Sequence, residues 1–599
     1  MAMAKQAMAA DGADVQQGVL GQVREAIRGQ VRGLFGDKVE EKLVQAVGVE
    51  LPRDEGFGDV STNAAMVLAK PLAANPRVIG QQVMDGLLRD HANLFEKIEL
   101  AGAGFVNMTL RLRELLRLAL AVPLWGVAFG RLAVAARQKY LVEYVSINPT
   151  GPIHVGHGRN AVFGDVIARM LERVGHTVWR EYLVNDAGGQ IRVLVNSLHI
   201  RYRQLFGEEV MLPEGAYPGE YLIEIAKQLR ARDGDKWLAV RDEAALFEGL
   251  RAFAVESCMA LIKADVERMG ITFDRYFSEF AMHQGSAMAE AVAALRAKDL
   301  VFEGTLPPPK GKEVANYVPV ELTLFRATAF GLGEDQAVYN RAGQPTYFGQ
   351  DIAYHMDKLQ RGFDKLVTVV GIDQAGAFKP LAKAIEALCG RADAYHPVPY
   401  EMVKVLRNGE PVKLSKRAGN IMLLSEVLDE VGVDAFRFMM LTVKPTTALT
   451  FDLAKAVEKS MENPVFYVQY AHARLCAVFR QAGDLGIVQP ADVVDEAALE
   501  AALAALEGQE LSAAARAVVR QVMVYPAVLE QAAASLEPHR LANFASALAA
   551  AVHHWYGAEK WLDTADAKAT AVRLQVARAA QVILADVLKV CGVLAPESM

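Results

Sequence analysis

Cysteine is scarce in this 599-residue chain: Cys258, Cys389, Cys476 and Cys591 are the whole supply, and none lies near another. Such spacing excludes a CxxC zinc pattern and a dense disulfide framework, and it fits a reducing cytosol. Long apolar runs are missing as well. The most apolar stretch, Leu118 to Gly130, contains Pro123. It falls short of the roughly 18 residues a membrane helix needs, so it reads as a buried element. Asp11 and Asp14 come too early for a signal peptide, so a cytoplasmic protein without a membrane partner is expected. Positive charge is not in excess either. Lys and Arg number 64 against 71 Asp and Glu, a net charge of −7. No global basic balance points to nucleic acid, although local patches on an acidic protein can still bind phosphates.

What the chain does have is a globular composition, 52% hydrophobic and 23% charged. At a soft prior of roughly 150 residues per domain, the length suggests three or four domains. Residues 1–118 form a first unit, opening with helical spacing through Val19, Leu20, Val23 and Ile27. A turn-rich piece from Leu51 to Asp59 follows, then a helix with Ser61 as candidate N-cap. Ala101 to Met108 reads as glycines feeding a short strand. The second unit, 119–460, begins with an apolar strand over Gln138–Ser146. A Pro/Gly loop, a helix from His154 to Gly175, a strand over Thr177–Val184 and another helix come next. The alternation resumes with a strand at Lys365–Gly371. Such alternation implies an α/β fold with a parallel sheet. A helix-rich insertion spans roughly 200–340. From 461 to 599, alanine, leucine and valine at helical spacing predict an α-helical bundle.

Two segments carry chemistry. His154-Val155-Gly156-His157 follows a strand and a turn, and opens a helix. A helix N-terminus presents free N–H groups and a positive dipole end to phosphate. Gly156 leaves room for a nucleotide ring, and the two histidines can share one face and stabilise charge on an α-phosphate. By itself the segment is equally compatible with a capped helix start. A metal pair lacks a third ligand. The second segment is Lys413-Leu-Ser415-Lys416, on a loop that also holds Arg417 and Gly419. Mobile ammonium groups there can neutralise a pyrophosphate leaving group, and alone they also fit a solvated basic loop.

Together, His-x-Gly-His after the first strand and Lys-x-Ser-Lys near the end of the α/β unit resemble the paired motifs of class I aminoacyl-tRNA synthetases. The longer stretches Glu143–Asn160, Tyr182–Gln190, Phe273–Glu279, Pro345–His355, Asn463–Arg474 and Glu537–Asn543 resemble the arginyl-tRNA synthetase family. The resemblance covers nearly the whole chain. It implies a class I Rossmann-like parallel-sheet catalytic domain, an α+β N-terminal domain that touches the tRNA elbow, and a helical C-terminal anticodon-binding bundle.

The resemblance also implies site residues. His154, His157, Lys413 and Lys416 are the expected catalytic groups, with Gly156, Gly371, Asp373, Gln374 and Ser415 completing an ATP site. Glu143, Asn148, His154, Tyr347, Asp351 and Gln374 are the expected arginine contacts; carboxylates suit a guanidinium. Tyr467, Tyr470 and Arg474 fall on one helix face and could stack on anticodon bases, or simply pack in the bundle. Expected partners are ATP with Mg2+, L-arginine and tRNA(Arg). No zinc or other protein-bound metal is expected, and the chain is expected to act as a monomer. One departure stands out. Where the family has Gly-Ala-Asp-His-His-Gly, this chain reads Gly371-Ile-Asp-Gln-Ala-Gly376. Gln374 can hydrogen-bond there but cannot carry a proton charge. Leu414 replaces a common methionine, an apolar swap.

Overall fold

The computed structural model describes residues 18–52, 55–132, 136–307, 319–374, 376–412, 422–487 and 495–599. The chain divides into two compact units. One comprises 137–172 and 176–458; the other gathers 1–136, 173–175 and 459–599.

The second-named unit opens with the helix Gly18–Phe35 and contains a four-stranded antiparallel sheet. Its strands are β1 (Val49–Glu50), β2 (Val60–Thr62), β3 (Phe95–Ala101) and β4 (Phe105–Leu110), in the order β1-β2-β4-β3. Ser61 lies inside β2, and Asn63 is the residue before the helix Ala64–Ala69, so Ser61 is not its cap. The β-branched Val60 and Thr62 carry the chain in extended form one residue longer than the capping signal implied. Gly58 has φ +91, and a Cβ there would meet the Met108 carbonyl oxygen at 2.7 Å. That turn delivers Asp59, 1% exposed, which accepts from Leu110 N at 2.8 Å and Arg516 Nε at 2.8 Å.

The rest of this unit is helical: Pro464–Asp484, Glu496–Ala505, Ala513–Ser535, His539–Ala558 and Ala567–Cys591. The apolar stretch singled out in the sequence is here the helix Leu112–Trp125, with Pro123 inside it. Its Leu116, Leu120 and Leu124 pack with Leu499, Leu503 and Val572. No helix among the described residues is long and apolar enough to cross a membrane.

The other unit is built on five parallel strands: β5 (Lys139–Glu143), β6 (Thr177–Val184), β7 (Arg275–Ser278), β11 (Lys365–Gly371) and β12 (Tyr395–Tyr400). Their order is β12-β11-β5-β6-β7. In β11, Lys365 to Val370 are all buried, as a strand covered on both faces requires. From β5 the chain winds one way through β6 to β7, then returns to β11 on the other side. The switch point is therefore between β5 and β11. In open parallel sheets ligands bind outside the carboxyl ends of strands at such a point.

The 200–340 stretch is less helical than its sequence implies. It contains the helices Tyr221–Asp233 and Glu243–Arg268, but also supplies edge strand β7. A small antiparallel sheet follows, of β8 (Val301–Thr305), β9 (Glu321–Phe325) and β10 (Gln336–Ala337). These strands are only four, five, five and two residues long, too short for a periodic signal. A last sheet joins β13 (Val403–Arg407), β14 (Glu410–Pro411) and β15 (Leu449–Asp452).

Candidate functional site

A cavity of about 920 Å³ opens at the switch point. Its lining comes from the chain after β5, from the end of β11 and from the start of the helix Val155–Val174.

The backbone after β5 is strained. Val145 and Ser146 have φ of +65 and +41, a region that β-branched residues avoid. The surroundings hold it there. Asn160 Oδ1 accepts from Val145 N at 2.6 Å while Asn160 Nδ2 donates to Val369 O at 2.9 Å. Tyr182 Oη donates to Ile147 O at 2.9 Å, and Asn185 Nδ2 donates to Ser146 O at 3.1 Å. Further on, Tyr221 donates its hydroxyl hydrogen to Thr150 O, and its ring leaves space only for glycine at 151. The loop that carries Asn148 is thus clamped from the sheet, the helix and the insertion.

His154 and His157 both line the cavity, with ring centroids 3.6 Å apart. Gly156 sits between them; a Cβ there would lie 3.1 Å from the His154 ring and from Met402 Cε. Burial lowers the pKa of His154. Burial, and then the neighbouring His154, push His157 down to about 3. Both rings are therefore neutral at physiological pH. His157 Nδ1 is buried and has no hydrogen-bond partner among the described residues. Lys413, Ser415 and Lys416 lie outside the described residues. The chain that follows them pairs with the histidine segment: Val155 N donates to Met422 O at 3.1 Å, and Leu424 N to Ile153 O at 2.9 Å.

Two carboxylates also line the cavity. Glu143, 5% exposed, ends β5; Asp351 lies on the helix Tyr347–Gln360. Burial, and then the charge of Glu143, raise the Asp351 pKa to about 7. Asn148 lines the wall and donates to Gln190 Oε1 at 2.6 Å. Gly371, Asp373 and Gln374 close the side at the end of β11. Tyr347 stands apart. It is the first residue after the Thr346 N-cap, 87% exposed, and it does not line the cavity. The helix starts with that ring turned to solvent, while Asp351, one turn later, faces the cavity.

Sequence reasoning missed several residues that shape this site. Asn160 and Tyr182 lay in the matched segments, but their backbone-holding roles need the fold to be seen. His355 lines the cavity; its Nδ1–H donates to the Asp351 carbonyl at 2.8 Å, and burial holds it far below the usual imidazole range. Lys358 carries no motif signal at all. Among the described residues no group of three His, Cys, Asp or Glu is arranged to hold a metal.

In the other unit, Tyr467, Tyr470 and Arg474 do share a face of the helix Pro464–Asp484. The Arg474 guanidinium sits 4.7 Å from the Tyr470 ring and 4.4 Å from the Tyr556 ring. It donates to His553 Nδ1 at 2.9 Å.

Known proteins bear on this arrangement. The family description "Arginyl tRNA synthetase N terminal domain" matches residues 21–110. "tRNA synthetases class I (R), catalytic domain" matches 126–475, and "DALR anticodon binding domain" matches 468–599. An arginine–tRNA ligase of Ruegeria pomeroyi is 42% identical over 589 residues, 95% of this chain and 99% of its own. One from Magnetococcus marinus is 41% identical over 558 residues, 92% of this chain and 95% of its own. The solved Thermus thermophilus arginyl-tRNA synthetase shares the fold at a TM-score of 0.72 and 22% identity, covering 96% of this chain and 99% of that one. The Plasmodium falciparum enzyme does so at 0.68 and 16%, covering 98% and 100%. A class I catalytic domain, an N-terminal domain and a C-terminal anticodon-binding domain are all matched along this chain, and the chain belongs to the arginyl-tRNA synthetase family of class I aminoacyl-tRNA synthetases.

Proposed function

We propose that this chain joins L-arginine to the 3′ end of tRNA(Arg), as an arginine–tRNA ligase working in two steps. First, a carboxylate oxygen of arginine attacks the ATP α-phosphorus in line. The bond to the bridging oxygen breaks and pyrophosphate leaves. Then a hydroxyl of the terminal tRNA ribose attacks the carbonyl carbon of the adenylate; AMP departs with the bonding pair, and the hydroxyl proton is released. The observation that carries this reading is one cavity lined both by a phosphate-suited helix start and by the carboxylates Glu143 and Asp351.

In this reading ATP lies against His154, Gly156, His157, Gly371, Asp373 and Gln374, with Lys413, Ser415 and Lys416 serving the pyrophosphate. Neutral imidazoles act as N–H donors to the charge that develops on the α-phosphate. Arginine lies towards Glu143 and Asp351, with its α-amino group near Asn148, His154 and Gln374. Magnesium enters with ATP, since it is satisfied chiefly by phosphate oxygens and water. Residues 461–599, with Tyr467, Tyr470 and Arg474, bind the anticodon arm, and 1–118 the tRNA elbow. We propose that the chain acts as a monomer; every described adenylation residue lies in one of its two units.

Aminoacylation of total tRNA with each amino acid in turn tests the assignment: arginine alone should be charged, and charging of any other amino acid instead would overturn it. The Asp351 carboxyl adds a pH test. With its pKa raised to about 7, it is neutral below that pH, and a guanidinium must first displace a proton. Above it, the anion is ready. The KM for arginine is expected to rise on acidification below pH 7, by up to about tenfold per unit, and to level off above it. A flat KM between pH 6 and 8 would count against Asp351 as the contact.

A further inference from the structure

Lys358 is a fully buried ammonium behind the cavity wall, bonded to the lining residue Glu143, and the chemistry above does not use it. Its side chain is 0% exposed. It lies two turns after Asp351 on the helix Tyr347–Gln360, so both point to the same side. Its Nζ donates to Glu143 Oε2 at 2.6 Å and sits 3.9 Å from the Tyr354 ring centroid. Glu143 Oε2 also accepts from Thr368 Oγ1 at 3.3 Å.

Charge can be counted around Asp351. Glu143 acts on it from β5, Lys358 from its own helix, and Glu279 from the helix Glu279–His283. His355, a turn away, is neutral. Glu279 is itself raised to about 7, by burial and by Asp186. Two neighbouring carboxylates without a cation hold a proton between them, because both cannot ionise at low cost. A cationic ligand would then have to expel that proton. An ammonium bonded to one of them eases the conflict, and Asp351, with Lys358 in place, titrates at about 7. Glu143 and Lys358 then cancel, and the ionised Asp351 supplies the charge that complements a single guanidinium.

We propose that Lys358 sets the charge of the arginine pocket: its ammonium neutralises Glu143, so that Asp351 is the one free carboxylate offered to the substrate side chain. Lys358 is thus a positioning and specificity-determining residue, acting through Glu143 and Asp351 without touching the reacting atoms. Glu143 keeps Oε1 for the substrate. The proposal rests on the arginine reading of the cavity.

The test is the pH dependence of the KM for arginine in full-length enzyme, from pH 6 to 9, at saturating ATP and tRNA. Four variants are compared with wild type: K358M, K358R, E143Q and the double variant E143Q/K358M. K358M should move the midpoint of the KM curve up by about one unit and raise KM at pH 7 about fivefold. K358R should keep the wild-type midpoint. E143Q strands the ammonium beside Asp351, so its midpoint should fall while KM rises at every pH. The double variant removes both charges and should return towards the wild-type midpoint. If K358M does not fold, E143Q against the double variant carries the same comparison. An unchanged midpoint in K358M, with KM raised equally at all pH values, would show a merely structural role and overturn the proposal. So would a double variant whose midpoint stays as displaced as that of E143Q. A wild-type enzyme that never saturates with arginine would instead overturn the arginine reading itself.

Discussion

Replacing His157 by alanine should lower the rate of arginine-dependent ATP–pyrophosphate exchange by about 10²- to 10³-fold, the usual effect of deleting one preorganised donor to developing charge. The ring is held by its neighbours before any substrate arrives. Its ring centroid lies 3.6 Å from that of His154, and its Nδ1 is buried with no partner among the described residues. A polar atom in that state costs stability unless a ligand satisfies it, which marks it as a site poised for one. Its lowered pKa, about 3, makes a second expectation. The free enzyme holds this imidazole neutral above about pH 4, so the same factor should be lost at pH 6 and at pH 8. Exchange measured with tRNA present, across that range, checks both. A variant within a few-fold of wild type would remove His157 from the chemistry.

Arg437→Met should destabilise the parallel-sheet unit by about 3–5 kcal/mol, the cost of leaving a buried charge without its partner. Arg437 is 0% exposed and donates to Asp165 on the helix Val155–Val174, and to Met269 O at 3.0 Å. Asp165, 1% exposed, would keep only Arg169 Nε at 2.7 Å, and that side chain is partly exposed. The helix concerned is the one that begins with the histidine segment, so loss of the pair should also loosen the site. The expected result is a marked drop in the midpoint of the thermal transition that reports this unit. Removing both charges with Asp165→Asn and Arg437→Met should recover part of the loss, because the stranded carboxylate is then gone. An unshifted transition in the single variant would show that the pair contributes little.

Much of the fold is legible without coordinates. β11 spans Lys365–Gly371 and β6 spans Thr177–Val184, as their apolar runs predict, and the helix Val155–Val174 starts within a residue of its sequence signal. Long, uniformly apolar or strongly periodic segments declare themselves because each residue's environment repeats. The short strands of the insertion do not, since two to five residues hold no period, and β7 reaches the parallel sheet only because β6 is already there to pair with it. At the N-terminal end, Ser61 looked like a cap because serine caps helices; its backbone instead pairs with Asn107, a partner 46 positions away that no local rule can see.

The site divides in the same way. The sequence alone determined which residue types were available for the proposed ATP and arginine contacts: His154, Gly156 and His157 at a helix start, Glu143 on a strand, Asp351 in the first turns of a helix, and Gln374 where the family has histidine. Those are local features, set by neighbours along the chain. Only the tertiary structure decided that Glu143 and Asp351 face one cavity, that Tyr347 does not, and that Lys358 completes a charge balance with them. It also decided that the histidines are neutral, since a pKa is set by burial and by charges brought together from distant parts of the chain.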